Sequence, residues 1–273
     1  SSAASDVYKR QDLKHPGLTT QVVAMKKTPP PQNVYDDPVF FEGYKALRQK
    51  DSGLNGVLEI PAFHALLPKL QGLRILDLGA GFGDFARYAR RQGAQAVTAV
   101  DVSEKMLAEA RRLTHDESIY YLHQSIEHFT PDAQTFDLVV SSLALHYIDD
   151  YPTVVERVYA SLVPGGRFVF SVEHPLCTAQ PSGWVCGPSG ERLHWPLDRY
   201  QHETVRHSTW FVENVTKFHR TLQTYVNTLL AAGFQLDHLG EPKPLAQALD
   251  ERPSLVDALR RPPFLLLAVT KPS

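Results

Sequence analysis

The sequence predicts an α/β fold in which a doubly wound, mostly parallel sheet is flanked by helices. From residue 73 onward, short apolar segments that end at glycine or a polar residue alternate with amphipathic segments of helical period. A turn with three glycines joins the first apolar segment to the first helical one. Strands separated by helices pair in parallel through right-handed crossovers. The 273 residues suit one such domain with insertions.

The two kinds of segment place the individual elements. We expect strands at 74–78, 96–100, 119–122, 136–141, 167–172, 234–239 and 264–269. We expect helices at 84–92, 103–113, 151–162 and 217–232, with Ser103 as an N-cap and Gly93 and Gly233 as stops. Residues 174–216 interrupt the alternation with prolines, glycines and all three tryptophans, so we expect an irregular insertion there.

Composition excludes several classes of function. A net charge of −2 with scattered Lys and Arg disfavours a nucleic-acid binder, and no apolar segment approaches the roughly 20 residues that cross a bilayer. Cys177 and Cys186 fit neither a disulfide framework nor a zinc motif, and we expect reduced thiols in a cytoplasmic protein. Asp149 and Asp150 favour a helix N-cap over a metal site, so we expect no bound metal.

The N-terminal stretch lacks the pattern of a folded element. Residues 1–24 have no period, no apolar core and no cleavage site, and Met25 and a proline run at 29–31 follow them. We therefore expect residues 1–32 to be a disordered leader or an artefact, and the folded domain to occupy 33–273.

The three-glycine turn indicates the kind of ligand. Its segment, DLGAGFGDFA at 77–86, has the pattern G-x-G-x-G, and Asp84 stands where a dinucleotide-binding turn has its third glycine. An acidic residue at that place repels a phosphate. S-adenosylmethionine has no phosphate and carries an amino-acid end that a carboxylate can bind. Asp101 ends the second strand, where open α/β sheets hold a ribose, and Met106 can cover an adenine.

The same segments match a known family. DLGAGFG at 77–83 resembles motif I of the Rossmann-like class I S-adenosylmethionine-dependent methyltransferases. AVDVSEKML at 99–107, FDLVVSSLALHYIDD at 136–150 and LVPGGRFVFSVEHP at 162–175 resemble its later motifs. The resemblance extends over residues 33–271 and is greatest to small-molecule enzymes related to ubiquinone and menaquinone biosynthesis. It implies a seven-stranded sheet with an antiparallel last strand, S-adenosylmethionine as cofactor and a small-molecule acceptor.

The resemblance also implies which residues bind the cofactor. They are Asp77, Gly79, Ala80, Gly81, Gly83, Asp101, Val102, Met106, Ser125, Ile126, Ser142 and Leu143. One position departs from the family pattern, because many relatives have an Asp after the third strand, near the adenine amino group, where this chain has Ser125.

Acceptor chemistry is indicated less directly. Methyl transfer from a sulfonium needs mainly proximity and alignment, and a base only when the acceptor must lose a proton. His146, after the fourth strand, and His174, after the fifth, titrate near neutral pH and are the candidate catalytic residues. Alternatively, each histidine orders its loop or contacts the cofactor.

Two segments are expected to enclose the acceptor. By resemblance, residues 33–50 form an N-terminal lid, and the insertion at 174–216 forms a cap beside the transferred methyl. The expected substrate-binding residues are Tyr35, Tyr44, Tyr147, Trp184, Trp210, His219 and Tyr225. For each of them, ordinary core packing is the competing interpretation.

Three other functions compete with a small-molecule methyltransferase. A nucleotide-dependent oxidoreductase is disfavoured by the missing third glycine of the dinucleotide pattern. A non-catalytic cofactor-binding protein of the same fold is disfavoured by the intact turn and by Asp101. A nucleic-acid methyltransferase is disfavoured because residues 141–144 read SSLA rather than the Asn-Pro-Pro-Tyr type of sequence.

Overall fold

The computed structural model describes residues 32–49, 53–180 and 182–273. The main strands are β1 (Arg74–Leu78), β2 (Ala96–Asp101), β3 (Ile119–His123), β4 (Phe136–Ser142), β5 (Leu162–Glu173), β6 (Val185–Cys186), β7 (Arg192–His194), β8 (Val205–Trp210), β9 (Val212–Phe218), β10 (Gln235–Gly240) and β11 (Phe264–Thr270). The α-helices are α1 (Pro38–Gln49), α2 (Ile60–Leu66), α3 (Asp84–Arg91), α4 (Glu104–Arg112), α5 (Tyr151–Ser161), α6 (Pro175–Ala179), α7 (Leu222–Ala231), α8 (Ala246–Glu251) and α9 (Asp257–Arg260).

Seven of these strands form one sheet in the order β10-β11-β5-β4-β1-β2-β3. The pairs from β5 to β3 are parallel, and β11 is antiparallel to both β5 and β10. The predicted doubly wound sheet with an antiparallel last strand is therefore confirmed. Each of the seven predicted strands is present, although β5 begins five residues before its predicted start at 167 because Leu162 pairs with Phe136.

Alternation of side chains along the strands produces two separate cores. On one face, Leu76 and Phe168 pack with residues of α5 and α7 such as Val155 and Leu229. On the other face, the sheet packs against α2 and α3. Both faces of the sheet are thus covered, so the edge at the carboxyl ends of its parallel strands remains available to ligands.

The N-terminal part of the described chain is attached to the domain by polar contacts. Asp36, in a 3₁₀ turn before α1, accepts hydrogen bonds from Ser103 Oγ at 2.6 Å and the Lys105 N–H at 3.1 Å. The Gln32 side chain bonds the backbone of Thr216 in β9. Gln32 is therefore part of the folded domain, which corrects the predicted boundary at 33. The expectation for residues 1–31 lies outside the described residues.

Residues 53–66, for which no element was predicted, form a π-helical turn at Asn55–Glu59 followed by α2. Gly53, Gly56 and Pro61 obscure the helical pattern of this stretch. Pro61 is tolerated because it lies in the first turn of α2, where its missing N–H would have no partner within the helix.

The insertion after β5 is more regular than predicted. It contains α6 and two antiparallel hairpins, β6–β7 and β8–β9. The expected helix start at 217 is wrong, because Lys217 pairs with Arg206 in the β8–β9 ladder. The helix begins at Leu222, and the Thr221 hydroxyl caps it by accepting a hydrogen bond from the Thr224 N–H at 3.2 Å.

None of the helices in residues 32–49, 53–180 and 182–273 has both the length and the apolarity that a bilayer span requires. Cys177 is buried, Cys186 is exposed, and both are free.

Candidate active site

A cavity of about 710 Å³ lies where the parallel strands end. Its wall includes Asp77 and Gly79 from the end of β1, Asp101 from β2, Ser142 from β4 and Glu173 from β5. This edge of a doubly wound sheet is where such folds bind ligands, and the volume is typical of a small-molecule site.

The two glycines that flank Ala80 in the β1–α3 turn serve different purposes. A Cβ on Gly79, whose φ is +84°, would lie 2.4 Å from the Ala144 Cβ, so this glycine permits close packing. A Cβ on Gly81, whose φ is +53°, would meet no atom within 4 Å. That open space belongs to the cavity, so Gly81 leaves room for a ligand to approach the backbone.

Two buried acids stand beside this turn. Burial, with repulsion from Asp101 and Asp84, raises the pKa of Asp77 to about 8, and its Oδ2 is buried without a hydrogen-bond partner. Asp101 accepts hydrogen bonds from the Gly81 N–H at 2.8 Å and the Ser103 N–H at 2.9 Å. Burial raises the pKa of Asp101, and these two N–H groups oppose that rise.

A third buried acid was not predicted. Glu59 ends the π-helical turn before α2 and lines the cavity. Its Oε1 accepts hydrogen bonds from Ser142 Oγ at 2.8 Å and Ser171 Oγ at 2.6 Å, whereas its Oε2 is buried without a partner. Burial raises the pKa of Glu59, and the two serine hydroxyls and the charge of Arg48 oppose the rise.

Aromatic rings from two elements cover the cavity. Tyr35, Phe40 and Tyr44 come from the N-terminal segment, and Trp210 and Phe211 come from the β8–β9 hairpin. The Phe40 ring lies 5.2 Å from that of Trp210 and 5.5 Å from that of Phe211. We call these five residues the aromatic roof. Most of its ring pairs meet edge to face, whereas Phe40 with Tyr44 and Trp210 with Phe211 are stacked, and aromatic pairs favour both offset-stacked and edge-to-face arrangements.

Comparison with known proteins decides the family. Residues 76–170 match the model of a methyltransferase domain (Methyltransf_11). The crystal structure of an S-adenosylmethionine-dependent methyltransferase from Mesorhizobium loti is 42% identical with a TM-score of 0.74, and the match covers 81% of this chain and 99% of that one. This chain belongs to the S-adenosylmethionine-dependent methyltransferases. It is thus an enzyme that uses S-adenosylmethionine.

Two further relatives differ in how much of each chain they share with this methyltransferase. An uncharacterized protein of Haemophilus influenzae is 34% identical over 248 residues, which are 88% of this chain and 97% of the relative. A malonyl-[acyl-carrier protein] O-methyltransferase of Enterobacter lignolyticus is 40% identical over 110 residues, which are 40% of this chain and 43% of that enzyme. The second likeness is therefore confined to part of both proteins.

The residues around the β1–α3 turn fit this cofactor. The cofactor carries a sulfonium and an ammonium, and the buried oxygens without partners, Asp77 Oδ2 and Glu59 Oε2, are acceptors for cationic groups. Gly81 leaves open space for the ligand, and Met106 is buried in the same wall. The carboxylates of Asp84 and Asp101 beside the turn would repel a dinucleotide phosphate.

The structure brings most of the predicted residues to the cavity. The lining includes Asp77, Gly79, Ala80, Gly81, Asp101, Val102, Met106, Ile126, Ser142, Leu143, Tyr35, Tyr44, Tyr147, Trp210 and His146. Six predicted residues lie outside it, namely Gly83, Ser125, His174, Trp184, His219 and Tyr225.

Each of the two excluded cofactor residues has a local structural role. Gly83 precedes α3, and a Cβ there would lie 2.2 Å from the hydroxyl oxygen of Tyr121, so the position serves helix–strand packing. The Ser125 hydroxyl bonds His128 Nδ1 at 3.0 Å and does not face the cavity. The neighbouring Ile126 lines the wall instead.

The prediction that His174 is a catalytic candidate is corrected, because both of its ring nitrogens bond protein groups outside the cavity. Its Nδ1 accepts the Leu176 N–H at 3.1 Å and so caps α6, and its Nε2 pairs with Glu241 Oε1 at 2.8 Å. Burial lowers the pKa of His174, and Glu241 opposes the shift. This histidine anchors the start of the insertion.

The three excluded substrate residues are likewise structural. His219 is buried between the Thr178 hydroxyl and the Tyr200 carbonyl, each 2.8 Å from one of its ring nitrogens. Tyr225 packs in the core against Tyr151, with ring centroids 5.1 Å apart. Trp184 stacks under Arg260 on the outer side of the insertion, and it is Trp195 that reaches the cavity.

His146 lines the cavity as a hydrogen-bond donor. Its Nδ1 accepts the Glu173 N–H at 3.3 Å, which leaves the ring proton on Nε2. Burial, with repulsion from Lys217 and Arg220, holds the pKa of His146 well below its usual value, so the ring is neutral. A neutral ring in this tautomer has no lone pair left to take a proton, which argues against the base role and leaves the acceptor-orienting role.

Sequence reasoning also missed Arg48, Arg261 and Lys217, which line the cavity. Arg48 is in α1 and pairs with Asp84 at 3.0 Å. Lys217 is in β9 and pairs with Glu173 at 2.5 Å. Arg48 follows a segment whose aromatic residues are its main sequence signal, and Lys217 lies in β9 rather than in the helix predicted at 217–232.

The Asp77 carboxyl predicts how stability depends on pH without cofactor. The pKa of Asp77 is about 8 in the folded protein and about 3.9 in the unfolded chain. Between these two pH values the folded protein therefore keeps a proton on Asp77 that the unfolded chain has lost. The group therefore makes stability fall as pH rises from about 4 to 8, by up to ~1.4 kcal/mol per pH unit. Asp77→Asn should flatten the curve of unfolding free energy against pH, measured with urea. Parallel curves for the two proteins would contradict the assignment.

Alanine substitutions at the two glycines should differ in their main effect, which is on ligand binding at Gly81 and on stability at Gly79. Gly81→Ala should weaken S-adenosylhomocysteine binding at least about tenfold while costing about 1–2 kcal/mol of stability, because its Cβ enters the ligand space at a left-handed residue. Gly79→Ala should cost roughly 2–5 kcal/mol, because its Cβ also collides with Ala144. Calorimetric titration and urea unfolding measure the two effects. Wild-type affinity in the Gly81 variant would show that ligand does not reach this turn.

Proposed function

We propose that this enzyme transfers the methyl group of S-adenosylmethionine to a small-molecule acceptor inside the roofed cavity. The observation that carries the proposal is the aromatic roof, which packs rings of the N-terminal segment against rings of the β8–β9 hairpin and places Tyr35, Tyr44 and Trp210 in the cavity wall. A covered pocket of about 710 Å³ suits a small molecule beside the cofactor better than a macromolecular surface. The net charge of −2 gives no support to a nucleic-acid acceptor.

In this proposal the N-terminal segment is the lid and the insertion is the substrate cap. When bound, the cofactor supplies a methyl on a sulfonium, and the electron pair of the broken C–S bond returns to sulfur. The protein's contribution is to align the acceptor with that methyl and to exclude water. The rings of Tyr35 and Tyr147 meet edge to face, with centroids 6.2 Å apart, at the boundary between the lid and the loop after β4, where they would wall the acceptor.

His146 would orient the methyl acceptor by donating a hydrogen bond from its Nε2–H to an oxygen of that molecule. The buried Arg220 supports this role, because its guanidinium bonds the carbonyls of Ile148 and Asp149 and so holds the loop that follows β4. A neutral donor at a fixed place orients an acceptor without taking a proton from it.

We assign the buried acids to the cofactor. Asp101 would accept the ribose hydroxyls with the lone pairs that its two backbone hydrogen bonds leave free. Glu59 would accept from the ammonium of the amino-acid end through Oε2. Arg48, the cation that lowers the pKa of Glu59, pairs with Asp84 next to the glycine turn, which places Glu59 toward that end of the cavity.

The acceptor class is tested by following the methyl group. The enzyme is incubated with cell extract and methyl-labelled S-adenosylmethionine, and the label is then separated into low-molecular-mass, protein and nucleic-acid fractions. We expect label in the low-molecular-mass fraction, and a much lower amount with Asp101→Ala. Label that accumulates in protein or nucleic acid would overturn the proposal.

The assignment of Glu59 is tested with two ligands that share a nucleoside. Glu59→Gln should weaken S-adenosylhomocysteine binding roughly tenfold or more, because a charge-assisted hydrogen bond to the ammonium is lost. It should leave the affinity for 5′-methylthioadenosine, which lacks the amino-acid end, unchanged. Calorimetric titration gives both constants, and Glu156→Gln, at an exposed acid of α5, is the matched control.

Other outcomes would assign Glu59 differently. If Glu59→Gln weakened the binding of both ligands equally, the carboxylate would only maintain the shape of the cavity. Unchanged binding of both ligands with a lower kcat would place Glu59 at the acceptor instead.

A further inference from the structure

Three cations line the part of the cavity wall that the β8–β9 hairpin and the segment after α9 form. They are Arg206 from β8, Lys217 from β9 and Arg261, which follows α9. Glu173 is the acid among them, and its ion pair with Lys217 at 2.5 Å neutralises one positive charge. The other two cations have no carboxylate partner among the ion pairs of residues 32–49, 53–180 and 182–273.

Arg261 is the cation with unused hydrogen-bonding capacity. Its guanidinium lies 4.3 Å above the Trp195 ring and contacts the sulfur of Cys177 through one terminal nitrogen. Its Nε is buried and has no hydrogen-bond partner. A buried guanidinium N–H without an acceptor is costly, and a ligand oxygen would satisfy it.

Docking of the insertion alone does not account for Arg261, which contacts Trp195 and Cys177 of the insertion but also lines the cavity. Its neighbour Arg260 already docks the insertion, because it stacks 4.6 Å from the Trp184 ring and donates to the carbonyls of Arg192 and Leu193. Arg260 does not line the cavity, whereas Arg261 does. Both adjacent arginines therefore contact the insertion, but only Arg261 also reaches the ligand space.

Arg206 adds a second positive charge that no acid offsets. It lies across the hairpin from Lys217 in the β8–β9 ladder. Its guanidinium bonds the carbonyl of His202 at 2.8 Å, and burial together with repulsion from Arg199 lowers its pKa. His146, in the same wall, contributes a further N–H donor and no negative charge.

We propose that the acceptor of this methyltransferase bears a carboxylate, which Arg261 binds and Arg206 attracts. The inference rests on the proposed small-molecule function and names its substrate class. A guanidinium presents parallel N–H groups that match the two oxygens of a carboxylate, and the face of Trp195 holds the guanidinium plane in place. The aromatic roof suits an acceptor whose remaining part is apolar or planar.

The test uses matched pairs of an acid and its neutral amide. The protein is first saturated with S-adenosylhomocysteine, and benzoate and benzamide, phenylacetate and phenylacetamide, and hexanoate and hexanamide are then titrated by calorimetry. We expect at least one acid to bind tenfold or more tightly than its amide, because only the acid forms a charge-assisted pair. Phenyl phosphate is the comparison that separates carboxylate from phosphate recognition.

Variants locate the source of the preference. Arg261→Met should remove the difference between acid and amide, and Arg261→Lys should retain part of it, because lysine keeps the charge without the fork of donors. Arg112→Met removes one positive charge from an exposed site outside the cavity wall and should leave the difference unchanged. S-adenosylhomocysteine affinity of each variant reports whether the cofactor end is intact.

The outcomes separate this inference from the proposed function. If no acid binds more tightly than its amide, if Arg261→Met retains the preference, or if phenyl phosphate alone binds, the carboxylate proposal is wrong even though the enzyme binds its cofactor. Transfer of label to protein or nucleic acid would overturn the proposed function instead, whatever the acids do.

Discussion

Buried carboxylates without a cation dominate the physical chemistry of this fold. All parallel strands of the sheet end at the same edge, so the acids at the ends of β1 and β2 are brought together there, and the turn before α2 adds Glu59. Burial raises the pKa of each of these acids, because the ionised form loses its water. A ligand that supplies positive charge favours the ionised forms and is bound more tightly for that reason, and its binding stabilises the folded protein. The cofactor of this family carries such charge, so one electrostatic constraint links folding stability, cofactor choice and the shape of the site.

The acceptor side of the site depends on contacts between segments far apart in sequence. The aromatic roof joins the N-terminal segment to the β8–β9 hairpin, and the hairpin carries Lys217 to Glu173 at the end of β5. Arg220 reaches back to the loop after β4 through backbone carbonyls, which fixes the position of His146 without using a side-chain partner that could titrate. In the proposed function, an N-terminal segment and an insertion that contact each other and the strand ends would exclude water and hold an acceptor in one orientation. Proximity is the main contribution that this chemistry requires of a protein.

The sequence predicted which residues of the strand ends line the cavity better than which residues of the insertion do, for a physical reason. The glycine turn and Asp101 follow strands directly, so local pattern and the geometry of parallel sheets place them without knowledge of tertiary contacts. Glu59 escaped prediction because its turn is π-helical and its burial arises from pairing with Ser142 and Ser171, far away in sequence. Nothing in the local sequence distinguishes Trp184 from Trp195. Only the docking of the insertion determines that Trp195 lines the cavity and Trp184 does not. His174 and His219 have the residue type of a catalyst, but their ring nitrogens are already paired with protein groups.

The distribution of charge along the cavity also bears on the direction of the reaction. Asp77, Asp101 and Glu59 line the cavity, as do Arg206 and Arg261, which form no ion pair with a carboxylate within the described residues. Under the two proposals above, a cationic donor would be drawn to the acids and an anionic acceptor to the arginines. Transfer of the methyl converts the sulfonium to a neutral thioether, so the product loses one of the two positive charges that the acids at Asp77, Asp101 and Glu59 attract. The ammonium remains, so the product is still held, but by a smaller electrostatic attraction than the substrate at the same place. The same buried acids that destabilise the empty site would thus bind the sulfonium form of the cofactor more tightly than its thioether product. A site without these acids would lack that difference in affinity.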